Sequence, residues 1–196
     1  MRYTLLITAL IAAVVFAAPL SADKPTTTSG VWLTAADFDS GTLTAEGPNG
    51  SSSHKIMLHD SIFGKPYIEV VHNGETYKYD KDAIWGFRDF DGKSYRFVDK
   101  QPYEVREAGR LYIYSFNRFV PGAKAGRTAP AYYFSVGAAG PVSELTVGNL
   151  VTAFPENHRF HDSLEMYSNW DLARFDRLHN TTTVNHLLAM SEGLPR

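Results

Sequence analysis

Between residues 54 and 136, apolar and polar positions alternate with a period of two, the spacing of strands that bury one face. Residues 55–59, 67–72, 75–79, 84–88, 94–98, 103–107, 111–116 and 132–136 read as strands, with turn signals at Asn73-Gly74, Asp91-Gly92 and Ala108-Gly109. Asn-Gly is the strongest of these, because a two-residue type I′ turn needs positive φ at both central positions. The string Asn-Gly-Glu-Thr-Tyr-Lys-Tyr from Asn73 returns in kind as Asp-Gly-Lys-Ser-Tyr-Arg-Phe from Asp91, which predicts the same turn twice. Two copies are too few for a repeat array, and hairpin physics accounts for them.

Ahead of this region, Val31, Trp32 and Leu33 make a short apolar start, and Thr34 is placed to cap the turn that follows. Residues 46–53 and 121–130 have loop composition. From residue 141 the period changes to 3.6. Thr146 can cap a helix carrying Val147, Leu150, Val151 and Phe154, which Pro155 stops. A second helix is expected over 158–168 with Phe160, Leu164 and Tyr167 on one face. A third would carry Leu172, Phe175 and Leu178, and a last, near 183–190, Val184, Leu187 and Leu188. Stripes this narrow must lie on the sheet or on one another. The expected fold is α+β: an antiparallel β-meander of about eight strands, barrel- or roll-like, followed by C-terminal helices.

The N-terminus changes the picture of where this fold works. One positive charge at Arg2, an apolar run over residues 5–18 broken only by Thr8, and Pro19 among small residues make a secretory signal. A membrane-spanning helix needs about 20 apolar residues, and this run is shorter. Cleavage fits after Ala22, with Leu20 at the third position before the cut, or after Ala17, with Val15 there; we take Ala22. The organisation expected is a signal peptide at 1–22, a polar tether at 23–30, a β-rich region at 31–140 and a helical tail at 141–196 packed on it as one domain. No integral span remains after cleavage. The chain has no cysteine, so neither a lipid-bearing cysteine nor a disulfide is available. Together these features indicate a bacterial exported protein of the periplasm or the extracellular space. Sequons at Asn49 and Asn180 would matter only in a eukaryotic secretory pathway. The formal net charge is −2 with no basic run, which argues against nucleic acid or an anionic membrane as the main partner.

Candidate chemistry is sparse. His158, His161, Asp162 and Glu165 recur at helical spacing, and such a set can bind zinc. The string His-Glu-x-x-His is absent, and the same spacing suits a polar face opposite Phe160 and Leu164. His179 and His186 would join that set only if the later helices folded back on it. No Gly-x-Ser-x-Gly elbow occurs, and the aspartates at 80, 82, 89 and 91 flank turns, where they are favoured. No catalytic residue is therefore assigned and no cofactor is expected. What remains is aromatic: eleven tyrosines and twelve phenylalanines, many on strands. Tyr112, Tyr114 and Phe116 share one face of their strand, with Tyr132 and Phe134 as a neighbouring row. Left open, that face would receive a glycan, a peptide or an envelope protein, with Tyr112, Tyr114 and Tyr132 as contacts; covered by the tail, it is core. The leading reading is a non-enzymatic secreted or cell-envelope protein with a binding or structural role. The alternative is a metal-dependent hydrolase using residues 158–165.

The stretch 74–97, with Ile84-Trp85-Gly86-Phe87-Arg88-Asp89 at its centre, resembles uncharacterised exported proteins of Bacteroidota. The tail strings Phe154-Pro155-Glu156-Asn157-His158-Arg159-Phe160-His161-Asp162 and Val184-Asn185-His186-Leu187-Leu188 are similar too. The resemblance implies a bacterial exported location. It assigns no role to His158, His161 or His186, which fall inside the similar stretches.

Overall fold

The computed structural model describes residues 28–48, 53–59, 64–119 and 127–193. The expected signal segment, most of the tether, and parts of the 46–53 and 121–130 loops lie outside these residues. The first strand, β1 (Thr28–Trp32), nevertheless begins inside the stretch read as tether. Its polar residues join the ladder because Ser29 is buried against His54 and Gly30 lets the neighbouring strand approach; a Cβ there would meet the Thr44 carbonyl oxygen at 3.0 Å. Helix α1 (Ala35–Ser40) follows, capped by Thr34 as expected, with Asp37 closing the capping box.

Then come β2 (Thr44–Pro48), β3 (His54–Met57), β4 (Tyr67–His72), β5 (Glu75–Asp80), β6 (Gly86–Arg88), β7 (Ser94–Val98), β8 (Gln101–Glu107), β9 (Leu111–Phe119), β10 (Thr128–Val136) and β11 (Ser143–Glu144). The tail holds α2 (Val147–Ala153), α3 (His158–Leu164), α4 (Asn169–Leu172), a short hairpin of β12 (Phe175–Asp176) and β13 (Thr181–Thr182), and α5 (Thr183–Ser191). The protein is α+β, every strand pair is antiparallel, and the helices are mostly C-terminal.

The strands do not form one continuous meander. An eight-stranded sheet runs β11-β10-β9-β8-β7-β6-β1-β2, and β3-β4-β5 form a separate sheet. Strand β1 takes the place beside β6 that β5 would hold in a simple meander.

The register sorts the core into three clusters. Leu111, Ile113 and Phe134 lie on one face beneath the tail, against Leu150, Phe160, Leu164, Leu172, Val184, Leu187 and Leu188. Further along the same face, Val31, Phe87 and Phe97 pack on Ile56, Ile68 and Val70 of the small sheet. The opposite face carries Trp32, Trp85, Tyr112 and Tyr114, with Phe38 of α1 stacked on Trp85 at 4.1 Å. One position there demands glycine. A Cβ on Gly86 would meet the Tyr95 carbonyl oxygen at 1.9 Å, so β6 and β7 approach only because Gly86 has none.

Three local expectations are corrected. The third helix is one turn long: Phe175 enters β12, and Leu178 is exposed. Asp176 Oδ1 accepts from the Leu178 amide at 2.9 Å, and the Arg174 carbonyl accepts from Thr183, so the backbone is engaged in a turn rather than a helix. The second helix ends at Leu164, short of Ser168. The repeated string also makes two different turns. Asn73 and Gly74 both have positive φ, whereas at the second hairpin only Gly92 does, following a turn in which the Gly92 amide donates to Asp89. Asp89 Oδ1 takes the amides of Asp91 and Lys93 and lengthens that loop.

Candidate functional site

The three tyrosines expected to share an open face do not share a face. Tyr114 pairs with Tyr133 and Tyr132 with Ser115, so Tyr132 lies on the helix side with Ile113 and Phe134. Tyr112 and Tyr114 lie on the other side and are buried. A register offset of one residue reverses the face of every side chain, and this offset separates the row. The Tyr112 hydroxyl donates to Asp39, and burial, reinforced by that carboxylate, holds its pKa well above the usual tyrosine range. The Tyr114 hydroxyl lies 2.9 Å from Ser135 Oγ and accepts from Arg96 at 3.1 Å. Both rings are packing elements with satisfied hydroxyls and offer no open surface to a ligand.

The polar set on α3 does not converge either. His158, Asp162 and Glu165 are exposed, and His161 Nε2 sits 2.8 Å from the Phe154 carbonyl, to which it donates. That bond occupies one ring nitrogen of His161 in joining α3 to the end of α2. Among the described residues, the histidine–carboxylate group whose ligand atoms converge is Asp176, His179 and His186.

Tyr132 is the exception among the three tyrosines. It lines a cavity of about 270 Å³ with Arg118, Glu144, Asn169 and Trp170. Strand β10 brings Tyr132 there. Beside it, the Leu145 amide donates to the Tyr132 carbonyl at 2.9 Å. Helix α4 brings Asn169 and Trp170, with Ser168 Oγ donating to Asp171 at 2.7 Å and Asn169 Oδ1 accepting from the Val147 amide at 3.1 Å. Trp170 is 65% exposed, and its ring stands edge-on to Tyr132 with centroids 6.1 Å apart. Arg118 Nη2 meets Glu144 Oε1 at 2.7 Å on the rim. The cavity therefore combines two aromatic rings with a guanidinium, a carboxylate and an amide.

The edge of β10 limits what can bind there. Strand β11 covers it only opposite Tyr133 and Phe134. Alternation puts the backbone of Pro130 on the same outer side as that of Tyr132, and proline has no amide proton to offer an added strand. Reading the sequence missed Trp170, which stands off the apolar stripe between Asn169 and Asp171. A large aromatic set among polar neighbours, rather than on the stripe, was the available signal. No protein-family model, curated protein or solved structure matches the chain.

Proposed function

We propose that this is a non-enzymatic exported protein of the bacterial cell envelope that binds a glycan at the Tyr132–Trp170 cavity. The observation that carries the reading is the exposed indole of Trp170 held edge-on to Tyr132, beside Arg118, Glu144 and Asn169. A sugar ring presents apolar C–H faces to an aromatic plane and a girdle of hydroxyls to planar polar side chains, and this lining offers both. A cavity of about 270 Å³ suits a single ring rather than a long chain. Pro130 on the open edge works against a peptide that would add as a strand. Location rests on the charged start and apolar run within residues 1–18, which have the pattern of a secretory signal.

Trp170 is the reporter for the test, because Trp32 and Trp85 are buried. Titration with mono- and oligosaccharides of bacterial envelopes should shift tryptophan emission, and Trp170→Ala should abolish both the shift and the binding. Arg118→Ala should weaken binding without lowering the melting temperature. If no saccharide in the series perturbs the emission at millimolar concentration, the reading fails.

A further inference from the structure

We propose that Asp176, His179 and His186 form a binding site for a divalent transition-metal ion of the zinc, cobalt, nickel or copper type. One ligand atom from each residue lies within 4.8 Å of the others. A tetrahedral ion with metal–nitrogen distances of about 2.0–2.1 Å needs its ligand atoms a little over 3 Å apart, which small side-chain rotations supply. Two imidazoles and one carboxylate suit these ions; magnesium and calcium prefer sites built wholly of oxygen.

The backbone holds the three groups in place by independent means. Asp176 closes β12, and its Oδ1 accepts from the amides of Leu178 at 2.9 Å and His179 at 3.4 Å, which orients the carboxylate. The other carboxylate oxygen, Oδ2, stands 2.7 Å from His179 Nδ1. His179 sits in the turn between β12 and β13, and His186 one turn into α5. The Thr183 amide and hydroxyl both donate to the Arg174 carbonyl, at 2.9 and 3.1 Å, and tie the start of α5 to the hairpin. This brings the two imidazoles face to face, with centroids 3.9 Å apart and planes 21° from parallel.

Access and surroundings also suit an ion. The side chains of His179 and Asp176 are 27% and 32% exposed, so an ion can reach them and keep water in its remaining positions. Asp176 and His186 border a cavity of about 300 Å³ that Arg174 and Arg177 also line. The two guanidinium groups oppose a bare cation and favour an anion as its further ligand. None of this depends on glycan binding at the Tyr132–Trp170 cavity.

Calorimetric titration of the tag-free, chelator-treated full chain with zinc chloride at neutral pH tests the site. One equivalent should bind. His179→Ala, His186→Ala and Asp176→Asn should each weaken binding about tenfold or more, whereas the double change His158→Ala, His161→Ala should leave it intact. Cobalt(II) should give the intense visible absorption of a tetrahedral site, and magnesium should not compete. Absence of stoichiometric zinc binding by the unmodified chain overturns the proposal whatever the variants do. Binding that survives both His179→Ala and His186→Ala, or that disappears with His158 and His161, overturns it equally.

Discussion

His54 shows how a single side chain ties stability to pH. It is buried where β3 meets β1 and β2, with Nε2 2.9 Å from Ser29 Oγ, its ring against Gly47, and the ring of His72 at 5.6 Å. Burial is the larger cause that lowers its pKa, and the neighbouring His72 adds to it. The folded protein thus resists a proton that the unfolded chain accepts from about pH 6.5 downward. Stability should be full above that value and fall as pH drops through it toward the lowered folded value. The melting temperature should decline as pH falls below about 6.5, and His54→Gln, which keeps a partner for Ser29 without titrating, should flatten the decline. An equal decline in the variant would assign it to other groups. Arg96 holds the packing of its surroundings through hydrogen bonds. Its guanidinium donates to Tyr114 at 3.1 Å, to Ser135 at 3.3 Å and to the Gly140 carbonyl at 2.9 Å. Lysine cannot reproduce that fork, so Arg96→Lys should cost about 1–3 kcal/mol in denaturant unfolding.

At the scale of elements, the tail is fastened to the sheet by polar bonds as well as by apolar stripes. Asn185 on α5 accepts from the Leu111 amide at 3.0 Å and donates to the Leu111 carbonyl at 2.9 Å, which serves both backbone groups at the start of β9. Glu107 of β8 likewise accepts from Thr181 Oγ1 and the Thr182 amide. Asn185→Ala would strip partners from partly buried backbone groups and should destabilise by about 1–3 kcal/mol, read as a lower denaturant midpoint. An exposed asparagine of no consequence would leave that midpoint unmoved. Gly86 sets the β6–β7 approach in the same way. Gly86→Ala must part the two backbones and should cost at least about 1–3 kcal/mol, the range found for overpacked positions.

For the molecule as a whole, β9 decides cooperativity. Leu111 and Ile113 belong to the core under the tail, and Tyr112 and Tyr114 to the core beside Trp32 and Trp85. Neither core can come apart without disturbing the same strand. Thermal unfolding followed by the tryptophan emission of the Trp170→Phe variant, whose remaining indoles belong to the Trp32–Trp85 core, should therefore coincide with unfolding followed by circular dichroism of the helices. Two separated midpoints would make the tail an independent unit.

The signals legible in the sequence were those that physics makes local. A period of two marked the strands, Asn73-Gly74 its type I′ turn, and Thr34 and Thr146 their caps, because each depends on residues a few positions apart. The change to helical spacing near residue 141 located the tail in the same way. The sign of a face is not local. Alternation says that Tyr112 and Ile113 point oppositely, but the offset between β9 and β10 sets Tyr132 beside Ile113 rather than beside Tyr112. Nor is strand order local: β1 reaches β6 across the whole small sheet, and nothing in either string says so. The Trp170 cavity and the Asp176–His179–His186 cluster were beyond reading for the same reason. Each gathers side chains from elements that chain periodicity treats separately, and only packing of the tail on the sheet and of α5 on its hairpin brings them together.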